Sequence, residues 1–429
     1  MSEPARLSER LRHIQGHARL PSVVAGVATA GEVTWTGGAG DVPGEPEDTQ
    51  YRIGSITKTL VAVLVMRARD EGLLGLEDPI GRFVPETAYA DATVAELLSH
   101  TSGMQSEPVG PWWERSPGVA VPDLLRANDG SGRVAPAGAY FHYSNLGFAL
   151  LGEAVARLRG ARWWELVSAQ ILEPLGMSRT TYLPVAPHAQ GASVVHFTGE
   201  LQREPHQDTM AMGPAGQAWS TVTDLLRWAD FLATGHPDVL SSDTLAEMAT
   251  TRLPAEGYGL GLRLIEAAGR SLSGHTGSMP GFLASLFVDR STRDASVLMT
   301  NATAGIGTEW VPEMLLGNDE PDPVEPWSPS APVPPVLAGV PGVWFWGNTA
   351  HELRWHRGQV HLWEFGDPGD AFVFDVSGDR MVGVVGYHRG ETLHVVRGDD
   401  GTVSHLECAT FVYTKVPYDP DVAIPGGHP

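Results

Sequence analysis

Ser55 stands three residues ahead of Lys58 in YRIGSITKTLVAVLVMRARDEG, residues 51–72, where an apolar run takes on helical spacing. Positions three apart share a helix face, so hydroxyl and amine can touch if the helix begins at or just before the serine. A serine hydroxyl is a weak nucleophile until a neighbouring base takes its proton. An ordinary lysine, with a pKa of about 10.4, is charged at neutral pH and becomes a base only when burial or another cation brings that value down. The flank LVAVLVM supplies burial, and the positive end of a helix favours an oxyanion over an ammonium. An isolated Ser-x-x-Lys also reads as a surface lysine on an amphipathic helix, so the pair needs company. Two distant stretches provide it: FHYSNLGFALLG, with Tyr143 and Asn145, and LSGHTGSMPGF, with His275, Thr276 and Gly277.

These groups must be held by a substantial scaffold. The chain has 429 residues, 42% of them hydrophobic, enough for one large core and a smaller second one. Helical punctuation dominates the middle. An apolar helix over 56–71 is stopped by Gly72; Thr93 and Glu96 form a capping box; SNLGFALLGEAVARLRG ends at Gly160; Thr221 and Asp224 open TVTDLLRWADFL in the same way. Strand signals flank it. SVVAGVATAGEVTWTGGAG reads as two strands joined at Gly31-Glu32, and strands return from about residue 258 to 303. Strands at both ends with helices between them predict a mixed α+β domain whose antiparallel sheet joins distant parts of the chain.

Residues 317–341, GNDEPDPVEPWSPSAPVPPVLAGVP, are proline-dense and predict an extended linker between a domain over 1–316 and another over 342–429. In the latter, short aromatic and β-branched runs broken at Gly358, Gly378, Gly390 and Gly401 predict an antiparallel meander or small closed barrel.

Several function classes are disfavoured. A net charge of −22 repels phosphate backbones and anionic lipid, so neither nucleic acid nor a membrane surface is an expected partner. No run approaches the roughly 18 to 20 apolar residues of a membrane helix. Arg6, Arg10, Arg12 and Arg19 precede an apolar stretch, but Glu3 and Glu9 dilute them and ARLSERLRHIQGHA has helical spacing, so the segment reads as folded protein. With the single cysteine, Cys408, this suggests the cytoplasm. His351 and His356 in HELRWH are five apart on a strand-like run, which does not suit a zinc protease, and there is no Gly-x-Ser-x-Gly elbow. His100 and Cys408 read as structural, and neither a metal nor a cofactor is expected.

Taken together, Ser55-Ile-Thr-Lys58, Tyr143-Ser-Asn145 and His275-Thr-Gly277 resemble the three motifs of the penicillin-recognising serine enzymes. The branch is that of class C β-lactamases, DD-peptidases, D-aminopeptidases and β-lactamase-like esterases. LLSHTSG at 97–103 and PAGQAWSTVTDLLRW from Pro214 look like further landmarks, and the resemblance covers roughly residues 15 to 305. It implies a β-lactamase/DD-peptidase-like domain, an antiparallel sheet plus a helical subdomain, followed by a lipocalin-like barrel. It implies that Ser55 forms an acyl-enzyme, with Lys58 and Tyr143 sharing proton transfer in an order left open. Asn145 would bond the substrate's acyl-side amide and help hold Lys58. The backbone N–H groups of Ser55 and Ser278 would form an oxyanion hole, and His275, Thr276 and Gly277 would line the strand along which substrate lies. Trp112 and Trp113 either wall the acyl pocket or cover the helical subdomain.

Where many β-lactamases carry lysine at the start of the third motif, this chain has His275, mostly neutral at pH 7, which disfavours efficient β-lactam hydrolysis. The second motif is not serine-aspartate-asparagine, so the class A deacylation scheme is not implied. The layout resembles D-aminopeptidase relatives and penicillin-binding-protein-type thioesterases that release nonribosomal peptides by cyclisation. The expected substrate is a small molecule or a peptidyl group, free or bound to a carrier protein. Acyl transfer to an amine and plain hydrolysis of esters or D-amino-acid amides both follow from these motifs.

Overall fold

SVVAGVAT offers no polar face to water, and its strand, β1 (Ser22–Thr29), is buried at every residue but Thr29. The two-residue period of a strand splits it between layers. Val23, Ala25 and Val27 join Leu7, Leu11 and Ile14 of the helix α1 (Glu3–His17), while Val24 and Ala28 face the larger core on the other side. The structure, a computed structural model, describes residues 2–253, 256–318, 324–419 and 421–423.

β1 turns back into β2 (Glu32–Gly40) at Ala30-Gly31, both in the left-handed region, one residue earlier than the sequence suggests. The remaining strands come from far along the chain: β3 (Arg263–Ala267), β4 (Arg270–Met279), β5 (Phe282–Val288) and β6 (Ala295–Thr300). They form one antiparallel sheet in the order β2-β1-β6-β5-β4-β3. The expected α+β architecture is what is found.

Three helices carry the middle of the chain. α2 (Thr57–Asp70) is buried at every residue from Thr57 to Met66, as a helix apolar all round must be. It packs against α3 (Asn145–Arg159), which stops at Gly160 in the left-handed conformation. α4 (Val222–Thr234) lies on β1, β5 and β6. The Thr93–Glu96 capping box forms in full, with both reciprocal bonds. At α4 only half of the expected box exists: Thr221 accepts from Asp224 N–H at 3.3 Å, but the Asp224 carboxylate turns to Arg179 N–H and the Thr180 hydroxyl at 2.8 and 2.9 Å.

The chain divides into two units, residues 1–193 with 203–327, and 194–202 with 328–429. The expectation of one continuous domain, a linker over 317–341 and a second continuous domain differs from this in two places. The Gln15 side chain bonds the backbone of Trp327 twice, at 2.7 and 3.0 Å, which fastens the proline-rich stretch at Trp327 to the first unit. The segment Val194–Gln202 belongs to the second unit, where Phe197 C=O accepts from Trp355 N–H at 2.9 Å and Gly199 C=O from Ser330 N–H at 3.1 Å. Those partners lie more than a hundred residues away, beyond any local pattern.

The second unit is a closed antiparallel barrel of eight strands in sequence order. These are β7 (Gly342–Trp346), β8 (Thr349–His356), β9 (Gln359–Glu364), β10 (Phe372–Ser377), β11 (Arg380–Val385), β12 (Thr392–Arg397), β13 (Val403–Cys408) and β14 (Phe411–Thr414). Closure removes the exposed edges a meander would leave. Among the described residues no helix is long and apolar enough to cross a membrane.

Candidate active site

The segment around Ser55 is fastened from both sides before it enters α2. Tyr51–Arg52 pairs with Trp219–Ser220, Ile53 N–H donates to Ala218 C=O at 2.9 Å, and Ala218 N–H donates to the Thr57 hydroxyl at 3.1 Å. A single 3₁₀ turn, Gly54–Ile56, then leads into the helix and presents Ser55 at its mouth. Lys58 Nζ lies 2.9 Å from Ser55 Oγ and donates to Ala215 C=O at 2.6 Å. This gives the PAGQAWS landmark a physical role: one end takes the lysine and the other braces the serine's turn.

Lys58 is fully buried. Burial pushes its pKa down to about 7, with Glu107 and Glu114 opposing the shift and Arg263 adding to it. The neutral amine has one lone pair, free to accept the Ser55 proton while an N–H stays on Ala215. The Tyr143 and Phe148 rings sit 5.0 and 5.7 Å from Nζ, close enough to receive the charged form when it appears.

Burial holds the Tyr143 phenol well above its usual value, with the neighbouring Ser55 hydroxyl opposing the shift, so it stays protonated. His100 lies against it with ring centroids 4.1 Å apart. Ser144 N–H donates to His100 Nδ1 at 3.0 Å, which leaves His100 Nε2–H to donate to Tyr258 Oη at 3.2 Å. Tyr258 O–H is then free to donate to His275 Nε2 at 3.0 Å, and His275 Nδ1–H donates to Thr276 C=O at 2.5 Å. Only neutral imidazoles satisfy this chain. Burial favours the same state, holding both histidines well below their usual pKa.

His275 is therefore not a surface for substrate. It is 1% exposed and lies beneath β4, both nitrogens occupied, whereas Thr276 and Ser278 alternate to the more open side. This corrects the expectation that its side chain lines the substrate strand. Gly277 packs directly on the serine's turn: a methyl there would collide with Ile53 C=O and stand 3.3 Å from Ser55 N, and one on Gly54 would stand 2.5 Å from Ser278 N. The two glycines let the Ser55 and Ser278 amides meet along one edge.

Asn145 opens α3, and its Nδ2 donates to Glu107 Oε1 at 2.7 Å. Lys58 bonds Ser55 and Ala215 and Asn145 turns its Nδ2 to Glu107, so the expected bond between Asn145 and the lysine is not made. Asn145 Oδ1 is buried with no hydrogen-bond partner, an acceptor that calls for one. Glu107 Oε2 also accepts from Trp113 Nε1 at 2.6 Å, and Trp113 is buried. Trp112 is 57% exposed, its indole N–H on Glu114 at 2.8 Å and the Arg115 guanidinium over its ring. The two tryptophans thus part ways, one packed against the core and one at the surface.

Sequence reading missed Tyr258 and Glu107. Tyr258 lies in YGLGLRL, read only as a strand, and its bond to His100 spans 158 positions. Glu107 sits in a loop with no helical or strand period to mark it.

Comparison with known proteins agrees with this geometry. A family model described as "Beta-lactamase" matches residues 7–311, and one described as "Domain of unknown function (DUF7586)" matches 333–415. The chain is 30% identical over 344 residues to "Esterase EstB" of Burkholderia gladioli, covering 66% of this chain and 86% of that one. It is 28% identical over 251 residues to "Beta-lactamase-like protein 2" of Dictyostelium discoideum, covering 53% of this chain and only 45% of that protein's length. The D-stereospecific amidohydrolase structure from Streptomyces sp. aligns with a TM-score of 0.63 at 27% identity, over 72% of this chain and 99% of that one. The octameric penicillin-binding protein homologue from Pyrococcus abyssi aligns with a TM-score of 0.66 over 96% of this chain and 99% of that one; at 22% identity it speaks for the fold alone. Because the matched span carries the whole antiparallel sheet and every helix that frames Ser55, this chain belongs to the β-lactamase family.

Proposed function

We propose that Ser55 takes an acyl group from a D-residue-containing peptide thioester, ester or amide and passes it on through an acyl-enzyme. In the sharpest form of this reading the acceptor is the peptide's own amine, and a nonribosomal peptide leaves as a macrocycle. Lys58 removes the Ser55 proton as Oγ attacks the carbonyl. The Ser55 and Ser278 N–H groups hold the resulting oxyanion, a contribution of about 3 to 4 kcal/mol per donor. Tyr143 delivers a proton to the leaving group and is reprotonated from Lys58. Asn145 Oδ1 accepts an N–H from the acyl side, which supplies the partner it lacks.

The observation that carries this reading is the division of labour between two buried groups beside one hydroxyl. Lys58 is brought to about 7 and can be a base, while Tyr143 is kept protonated and can be a donor. An amine-bearing substrate is favoured by the acidic field on the site, since Glu107 and Glu114 both act on Lys58. The substrate is a small molecule or peptidyl group, free or carried by a partner protein. We place the reaction in the cytoplasm, on the single cysteine.

A second reading, plain hydrolysis of esters or D-amino-acid amides, is supported by the similarity to an esterase and to a D-stereospecific amidohydrolase. The two share every step up to the acyl-enzyme. They separate when the enzyme is given a peptidyl thioester ending in a D-residue, nitrophenyl butyrate, D-alanine amide and a chromogenic cephalosporin, with products weighed by mass spectrometry. A cyclic product, lighter than the free acid by one water, supports transfer; free acid alone supports hydrolysis. Undiminished turnover of every substrate by Ser55→Ala removes both.

A further inference from the structure

The barrel contains a second cluster with chemistry of its own. His388 and Glu391 lie on the turn between β11 and β12, and Cys408 ends β13, opposite Leu393 of β12. His388 Nδ1 and Glu391 Oε2 are 2.7 Å apart, Cys408 Sγ is 3.9 Å from the same carboxylate oxygen, and one ligand atom from each residue falls within 4.8 Å of the others. His388 and Cys408 are wholly buried, while the Glu391 side chain is 40% exposed.

We propose that this cluster is a metal site, holding a divalent transition ion, zinc by preference, on His388 Nδ1, a Glu391 oxygen and Cys408 Sγ, with water as the fourth ligand. Zinc takes this mixture of sulfur, nitrogen and oxygen at about 2.0 to 2.3 Å in a tetrahedron, whose edges are then roughly 3.3 to 3.8 Å. The His388–Glu391 contact has to open by about half an ångström and the sulfur to close by a similar amount, which side-chain rotations of that size supply. One thiolate and one carboxylate neutralise a divalent ion, so the loaded site adds no net charge to an apolar interior. The partly exposed glutamate provides an entry path and a place for water.

The surroundings fit as well. His388 Nε2 is 3.4 Å from Tyr413 Oη, a partner that orients a ligating imidazole and fixes its tautomer. The imidazole ring is packed by Phe372, Phe374 and Phe411, the apolar shell that metal sites carry. On binding, Cys408 releases its thiol proton to solvent. The His388 proton now on Nδ1, facing Glu391, is lost there and regained at Nε2, which donates to Tyr413. The balance is one metal ion taken up and one proton released. Sequence alone read Cys408 as structural and expected no metal.

The test uses the full-length protein, stripped with chelator and dialysed, then titrated with Zn²⁺ in a calorimeter and with Co²⁺ in a spectrophotometer. One equivalent should bind, and cobalt should show a thiolate-to-metal charge-transfer band. Cys408→Ser, checked for folding by circular dichroism, should lose that band, and Tyr413→Phe should weaken zinc binding roughly tenfold or more. No saturable site at one equivalent, or bound cobalt that shows no thiolate band in the parent protein, overturns the proposal.

Discussion

If Lys58 is the base, as proposed above, it sets the pH dependence of acylation. With a pKa of about 7 the amine is about half neutral at pH 7, roughly one tenth neutral at pH 6 and roughly nine tenths at pH 8. The acylation rate should therefore climb about tenfold from pH 6 to pH 8 and then level. The same shift has a thermodynamic face. The unfolded lysine titrates at its ordinary 10.5, so between about 7 and 10.5 the unfolded chain binds more protons and stability rises with pH. Below about 7 the whole cost of the buried cation is present, on the order of 5 kcal/mol from a shift of about 3.5 pH units. Arginine at this position keeps its charge throughout the range. Lys58→Arg should thus lose about 10²- to 10⁴-fold in kcat/KM, the usual worth of a general base, and show no rise near pH 7. The assay is stopped-flow acylation by a nitrophenyl ester in excess enzyme, buffered from pH 5 to 9. A flat profile with acylation rate-limiting, or a Lys58→Arg enzyme within tenfold of the parent, refutes the assignment of Lys58 as the base.

Two further outcomes follow from the frame around the serine. Gly277→Ala places a methyl against Ile53 C=O and close to Ser55 N, so kcat should fall about 10²- to 10³-fold as the amide pair is pushed apart; steady-state kinetics within threefold of the parent contradict the placement of that edge. Tyr258→Phe leaves His100 Nε2 and His275 Nε2 without a partner, at about 1 to 3 kcal/mol for each buried group. Urea unfolding should show the first unit destabilised by roughly 2 to 6 kcal/mol, and a midpoint unchanged from the parent shows that the chain of bonds does not hold the site.

What could be read in the sequence was local. Ser55 and Lys58 are a turn apart at a helix mouth, and Tyr143 and Asn145 stand at the start of another, so spacing and a familiar order of motifs bring all four to notice. The helix stop at Gly160 and the capping box at Thr93 are equally local in origin. What escaped depended on distant partners. The side of β4 on which His275 lies is decided by Tyr258 and by the turn beneath Gly277. Asp224 left its own cap for Arg179 and Thr180 because those groups arrive from another segment. Motif order identified the third strand correctly, but alternation along it turned the histidine inward and left Thr276 and Ser278 toward the open side.

The excursion of Val194–Gln202 into the barrel unit means that no single cut yields two whole bodies. A gene fragment ending near residue 327 encodes Phe197 and Gly199 but not Trp355 or Ser330, to which their carbonyls are bound. During synthesis those carbonyls emerge long before their donors do, so the first unit leaves the ribosome's tunnel with a loop still waiting for the far end of the chain. Separating the halves for study therefore calls for replacing that loop with a short polar turn, not for simple truncation.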